Sequence, residues 1–201
     1  MRKFILATAI LLFALHLSAQ TPEAVWGDLA AGNARFVEGS LDYCALNHLR
    51  NATAGGQAPP TSILSCADSR VPAELVFNRS IGELFVVRTA GNVENTFNLA
   101  SLEYAVLNGW TKVIVVMGHS DCGAVKASLT LPKPGEPTPA LYDLILRIRK
   151  SFKTTPRDLR EATIMNINYT AEQLALNPTL KNVPLVKVYY DVASGKAERI
   201  P

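Results

Sequence analysis

Two short polar segments carry the residues that could do chemistry in this sequence: residues 65–70 (SCADSR) and residues 118–123 (GHSDCG). Each follows an apolar run that predicts a buried strand. In a parallel sheet both segments would end at the same carboxyl edge, where ligands bind in open α/β folds. Two thiols and one imidazole together are a typical zinc-binding set. The sequence therefore predicts a metal site made of Cys66, His119 and Cys122.

Asp68 has two possible roles at such a site. It could occupy a fourth position on the metal and close the site. Alternatively, it could pair with Arg70, two residues further on, and accept a hydrogen bond from a metal-bound hydroxide. A bidentate arginine–carboxylate pair would hold Asp68 ionised and oriented.

Three other interpretations compete with a catalytic metal site. A disulfide between Cys66 and Cys122 is the main structural alternative, but it leaves Asp68, Arg70 and His119 without a role. In the second, Cys122 is a thiol nucleophile activated by His119. The third is a protein that binds zinc without turnover.

The two segments resemble the zinc signature of the β-class carbonic anhydrases, Cys-x-Asp-x-Arg followed by His-x-x-Cys-Gly. The resemblance covers most of residues 22–200 and is also carried by residues 32–36, 82–88, 90–92, 101–105 and 190–196. It implies one zinc ion per chain and the reversible hydration of carbon dioxide to bicarbonate. Zinc-bound hydroxide would be the nucleophile, and Asp68 and Arg70 would be the catalytic pair.

The resemblance also implies a substrate pocket. Gln57 would hydrogen-bond bicarbonate, Phe85 and Tyr104 would line an apolar cleft for carbon dioxide, and the backbone of Gly123 would lie beside the metal. In the family some of these residues reach the zinc from the partner subunit, which implies a homodimer or a higher homo-oligomer. Carbon disulfide and carbonyl sulfide stay alternative substrates, because the family also hydrolyses them on the same ligand set.

The family contains two subtypes, which differ at two positions before the first cysteine. One subtype has an allosteric bicarbonate pocket that holds Asp on the metal, and that pocket needs a Trp and a Gly where this chain has Ile63 and Ser65. We therefore expect the open arrangement, in which Asp68 turns to Arg70 and leaves the fourth metal position to water.

Apolar periodicity predicts an α/β domain with a mostly parallel central sheet flanked by helices. The sheet is expected to have about four parallel strands plus a C-terminal edge strand. Strands are predicted at residues 61–65, 84–87 and 113–117, with a final strand at 184–190. The main helices are predicted at residues 26–37, with Pro22 and Glu23 suited to the first turn, and at residues 95–107 and 158–176. Glycine and proline clusters predict loops at residues 41–60 and 131–139. The resemblance implies that the first helix packs on a neighbouring subunit, with packing on its own domain as the alternative.

The first twenty residues predict a secretory signal peptide, because a charged start, a short apolar run and a small-residue end occur in that order. Residues 21–201 then form one zinc domain, exported to the periplasm or secreted. Without residues 1–20 the chain carries 18 basic and 17 acidic residues. This balance argues against nucleic acid or a membrane surface as a partner. Cys44 is the one cysteine that the predicted metal site does not use. It is expected to be either a buried free thiol or part of an intermolecular disulfide.

Overall fold

A five-stranded sheet forms the centre of the computed structural model, which describes residues 21–42, 46–130 and 138–201. The strands are β1 (Thr61–Ser65), β2 (Leu84–Arg88), β3 (Val113–His119), β4 (Leu185–Tyr190) and β5 (Ala197–Arg199). The helices are α1 (Pro22–Val37), α2 (Leu46–Thr53), α3 (Ala73–Val76), α4 (Thr96–Leu107), α5 (Gly123–Leu129), α6 (Pro139–Arg149) and α7 (Leu159–Leu176). A short 3₁₀ turn, Ala90–Asn92, follows β2.

The strand order is β2-β1-β3-β4-β5, with β1 to β4 parallel and β5 antiparallel to β4. This confirms the predicted sheet, and the C-terminal edge strand is β5. All seven residues of β3 are buried, as expected for a parallel strand that is covered on both faces.

Alternate residues of each strand face two different cores. On one face, Ile63 and Val115 pack with Val25 and Leu29 of α1 and with α3. On the other face, Leu64 and other strand residues pack with α4 and α7. The sheet is therefore fixed from both sides, which makes its carboxyl edge a rigid support for a site.

Helix α1 packs on its own domain through Val25 and Leu29, and the contact with a neighbouring subunit stays a prediction. The Nδ2 group of Asn33 donates to the carbonyls of Val76 (3.0 Å) and Gly195 (2.8 Å), and its Oδ1 accepts from the N–H of Ala197 (2.8 Å). Gly32 allows this approach, because a Cβ there would lie 1.9 Å from the carbonyl oxygen of Phe77.

Two sequence predictions differ from the structure. Residues 41–60 were predicted to be loop, but Leu46–Thr53 is a helix. Its eight residues are all partly or fully exposed, so it lacks the buried apolar stripe that would have indicated it. In addition, β3 continues two residues beyond the predicted end, because its ladder with β4 extends to His119, opposite Tyr190.

Several predicted features lie outside the described residues. They are the signal peptide at residues 1–20, Cys44, and most of the predicted loop at 131–139. Among the described residues, no helix combines the length and apolar character needed to cross a bilayer.

Candidate metal centre

The three predicted metal ligands meet at the carboxyl edge of the sheet. Cys66 directly follows β1, His119 is the last residue of β3, and Cys122 caps the N-terminus of α5. β1 and β3 are adjacent and in register, with Ser65 opposite Met117. The parallel pairing thus brings together two segments that are far apart in the chain.

The ligand atoms lie at a spacing that fits a tetrahedral metal ion. One side-chain donor atom each of Cys66, His119 and Cys122 lies within 4.8 Å of the other two. The Sγ–Sγ distance is 4.0 Å, close to the value of about 3.8 Å that two zinc–sulfur bonds of about 2.3 Å would span in a tetrahedron. A disulfide requires about 2.05 Å, and both cysteines are free thiols. The disulfide alternative is therefore wrong in this structure.

The imidazole of His119 is oriented as a metal ligand. Its Nδ1 lies 2.8 Å from the carbonyl oxygen of Ser120, and since a carbonyl can only accept, Nδ1 is the donor. Nε2 then carries a free lone pair, and within the described residues this buried atom has no hydrogen-bond partner. A buried nitrogen without a partner is costly, so a ligand at this point would satisfy it. The donor set and its geometry fit zinc.

Ser120 is itself held in place. Its N–H donates to the carbonyl of Tyr190 at 2.8 Å, and its Oγ accepts from the N–H of Val192 at 2.9 Å. The end of β4 thus fixes the carbonyl that orients His119. Sequence reasoning gave Ser120 no role, because its contribution is made by a backbone carbonyl.

The two thiols strongly affect each other's acidity. The hydrogen bond from Cys122 is the main cause that lowers the pKa of Cys66. Burial opposes this effect, and the N–H groups of Asp68 and Gly91 lower the pKa further. The same bond to Cys66, together with burial, raises the pKa of Cys122. The Sγ of Cys66 accepts from the N–H groups of Gly91 at 3.2 Å and Asp68 at 3.4 Å, and these two donors favour negative charge on that sulfur.

Asp68 and Arg70 form a bidentate pair beside the ligands. Oδ1 of Asp68 accepts from Nε and the backbone N–H of Arg70, both at 2.9 Å, and Oδ2 accepts from Nη2 at 2.7 Å. These hydrogen bonds hold the pKa of Asp68 well below its usual range. Nη2 also donates to the carbonyl of Asp121 at 3.2 Å, so Arg70 links the two ligand-bearing segments.

Arg88, the last residue of β2, also contacts the loop that follows β1, and the sequence analysis gave it no role. Its Nε donates to the carbonyl of Cys66 at 3.0 Å and its Nη2 to the carbonyl of Asp68 at 2.6 Å. It therefore orders the loop that carries both residues. Its place at the carboxyl end of a neighbouring strand was the signal that could have pointed to it.

The predicted pocket residues divide into two groups in the structure. Gly123 is next to Cys122, at the metal edge of the sheet. Gln57 precedes β1, Phe85 lies in the first half of β2, and Tyr104 lies near the end of α4. The ring of Tyr104 packs edge-on against Trp110, which precedes β3. This second group thus lies toward the amino edge, away from the ligands of its own chain.

Tyr104 is 54% exposed, and Gln57 is exposed as well. Phe85 is partly buried and packs against the core on the α4 and α7 side of the sheet. Gln57 and Tyr104 therefore present exposed side chains at the surface, whereas Phe85 is only partly accessible.

Comparisons with known proteins agree with this geometry. The family model described as carbonic anhydrase matches residues 61–197. A carbonic anhydrase of Mycolicibacterium smegmatis is 36% identical over 190 residues, which is 88% of this chain and 92% of that protein. Carbonic anhydrase 2 of Mycobacterium tuberculosis is 42% identical over 140 residues, covering 68% of this chain and 67% of the relative. The solved structure of the β-carbonic anhydrase CcaA superposes with a TM-score of 0.72 at 27% identity, covering 88% of this chain and 95% of that one.

Proposed function

The chain belongs to the β-class of the carbonic anhydrase family, and we propose that it catalyses the zinc-dependent, reversible hydration of carbon dioxide to bicarbonate and a proton. The observation that carries this proposal is the cluster of Cys66, His119 and Cys122 next to a bidentate Asp68–Arg70 pair. Storage of a metal needs only the cluster, so the ordered pair favours an enzyme over a zinc-binding protein without turnover.

Zinc bound by Cys66, His119 and Cys122 would acidify a water molecule and so supply a hydroxide nucleophile. The residues of the chain prepare that reaction. Two thiolates offset the charge of the ion, and His119 presents Nε2 because Ser120 holds Nδ1.

Asp68 orients the attacking group. Its carboxylate is ionised and carries acceptor oxygens beside the cluster, with Oδ2 at 3.9 Å from Nε2 of His119. A carboxylate in this position accepts a hydrogen bond from a hydroxyl and thereby directs its lone pair toward the substrate carbon. Arg70 prevents Asp68 from turning to the metal, because three hydrogen bonds hold both carboxylate oxygens.

A thiol nucleophile is disfavoured by burial. Cys122 is 1% exposed and His119 is fully buried, whereas a catalytic thiol needs access to its substrate.

Carbon disulfide and carbonyl sulfide are the remaining alternative substrates, and an assay distinguishes them from carbon dioxide. We expect the purified protein to hydrate carbon dioxide much faster than it hydrolyses either sulfur compound at equal concentration. Faster release of hydrogen sulfide than of bicarbonate would reverse the assignment.

We propose that the active site is shared between two copies of the chain. Gln57, Phe85 and Tyr104 lie toward the opposite edge of the sheet from their own ligands, so they would complete the site of a partner. The minimum active unit would then be a homodimer.

Mixing two inactive variants tests this sharing. Chains carrying His119→Ala lack a metal ligand but keep Gln57, whereas chains carrying Gln57→Ala keep all three ligands. In a symmetric dimer, random mixing would restore one complete site in half of the dimers, or about a quarter of the wild-type activity. Activity no higher than the average of the two variants would show that Gln57 serves its own chain.

We further propose that the enzyme acts outside the cytoplasm, because residues 1–20 have the charge and apolar pattern of a signal peptide.

A further inference from the structure

We propose that Asn166, on α7, is a positioning residue for the metal centre, because it fixes the backbone turn that donates a hydrogen bond to the sulfur of Cys66. The inference rests on the proposed function, since it assigns Asn166 a role toward the zinc that Cys66 would hold. Asn166 lies 75 residues from Gly91, the residue that it contacts, and it belongs to neither of the two segments that carry the ligands.

The turn that reaches Cys66 has an unusual backbone. Gly91 has a φ of 67° and Asn92 a φ of 46°, so two consecutive residues are left-handed. Such conformations persist where the surrounding structure fixes them. Gly91 also has no room for a side chain, because a Cβ would lie 2.6 Å from Cδ1 of Ile148 and 3.3 Å from Cβ of Ala124. Steric contact from α5 and α6 thus limits one side of the turn.

Helix α7 supplies the polar contacts. Nδ2 of Asn166 donates to the carbonyl of Gly91 at 2.7 Å and lies 3.4 Å from Oδ1 of Asn92. The hydroxyl of Thr170, one helical turn later, donates to the carbonyl of Asn92 at 3.4 Å. Asn92, Asn166 and Thr170 are all buried. Gly91 has no side chain, so α7 can form a hydrogen bond with it only through its backbone groups. The 2.7 Å bond from Asn166 to its carbonyl is such a contact.

Gly91 therefore connects Asn166 to the ligand sulfur. Its carbonyl accepts from Asn166, and its N–H donates to Sγ of Cys66 at 3.2 Å. An N–H···S bond withdraws electron density from a thiolate and sets its direction, and such outer contacts typically change metal affinity by about 10- to 100-fold. Asn166 would thus tune the thiolate without touching it.

Two substitutions of Asn166 test this role. Asn166→Asp keeps the shape but places an acceptor against the carbonyl of Gly91, and Asn166→Leu removes all hydrogen bonding. Thr163→Val is the matched control, because Thr163 is buried on the same helix and its hydroxyl, within the part of the chain that the structure describes, bonds only to the carbonyl of Leu159. Zinc affinity is measured by competition with a chelator. The energy of the sulfur-to-metal charge-transfer band is measured in cobalt-substituted protein.

We expect zinc affinity about 10- to 100-fold weaker in both Asn166 variants. The cobalt band should move to lower energy, because a thiolate without its N–H donor gives up electron density more easily. The control should match the wild type in both measurements. A loss of general stability alone would not move the band, so the band separates positioning from a merely structural role.

Thr170→Val removes the longer bond to the same turn and provides a milder variant in case the Asn166 variants do not fold. Its zinc affinity and band should shift in the same direction by a smaller amount. The inference would be overturned by wild-type values in a folded Asn166→Asp protein, or in Thr170→Val if that is the variant that folds. If the wild type binds zinc and the variants have the same zinc affinity and band energy, only this inference is wrong. If the wild type binds no zinc, the proposed function is wrong as well.

Discussion

Oδ2 of Asp68 lies 3.9 Å from Nε2 of His119, the atom that faces the predicted metal position. The same oxygen accepts a 2.7 Å hydrogen bond from Arg70. The carboxylate is thus adjacent to the ligand set but is directed toward the guanidinium. This geometry supports the open arrangement expected from Ile63 and Ser65, in which Asp68 is not a metal ligand.

The pair should therefore be needed for turnover but not for metal binding. We predict that Asp68→Asn and Arg70→Ala each retain one zinc per chain and lose at least about 100-fold in kcat/KM, as expected when a group that handles a proton is removed or misdirected. Stopped-flow hydration assays and elemental analysis of the same samples measure both quantities.

Arg157→Ala is the control for that prediction. It also removes an arginine–carboxylate pair, the exposed contact with Glu161 at 3.1 Å, and it should leave both activity and zinc content unchanged. An Arg70→Ala enzyme with wild-type turnover would show that catalysis does not need the Asp68–Arg70 pair.

The pH dependence of activity should not come from Asp68. Its hydrogen bonds with Arg70 lower the pKa of Asp68 in the folded protein. The stabilisation that the pair gives to the fold is therefore complete above the ordinary pKa of an aspartate. It is lost as the pH falls through the lower pKa of the folded protein. A metal whose charge two thiolates offset should acidify water less than one held by three histidines, where the pKa of that water falls to about 7. We predict activity that rises from about pH 6 to about pH 9, measured by initial hydration rates. A flat profile over this range would contradict the mechanism.

The sequence was most informative where chemistry or periodicity depends on side chains. The parallel strands and the cluster of Cys66, His119 and Cys122 were predictable, because apolar runs end at residues with distinctive donor atoms. Helix α2 was missed because it buries no apolar stripe. The contributions of Gly91 and Ser120 were missed because backbone groups make them, and the sequence does not show where a backbone group points.

Gly32 provides a test of how α1 is held. A Cβ at Gly32 would lie 1.9 Å from the carbonyl oxygen of Phe77, whereas one at Gly27, on the same helix, would meet nothing within 4 Å. We predict that Gly32→Ala lowers the free energy of unfolding by about 1 to 3 kcal/mol through overpacking. Gly27→Ala should raise it by about 0.5 to 1 kcal/mol through helix propensity. Urea denaturation measures both, and equal effects would mean that α1 does not dock as described.

Export is a prediction from sequence alone. The charged start at Arg2 and Lys3, the apolar run and the small-residue end should direct secretion and cleavage. Mass spectrometry of periplasmic or secreted protein should give a mature N-terminus near Thr21. Soluble, active enzyme that retains Met1 would show that residues 1–20 are not removed.

The zinc ligands give the most direct test of the central claim. The protein is purified without chelator, its metal is removed stepwise and then restored, and carbon dioxide hydration is measured at each zinc content. The variants Cys66→Ser, His119→Ala and Cys122→Ser are measured in parallel. We predict that activity rises in proportion to zinc up to one ion per chain. Each variant should lose tight binding and unfold at a lower temperature, because metal binding contributes to folding. Wild-type protein with no transition metal, or with one zinc per chain and no hydration of carbon dioxide, would contradict the account.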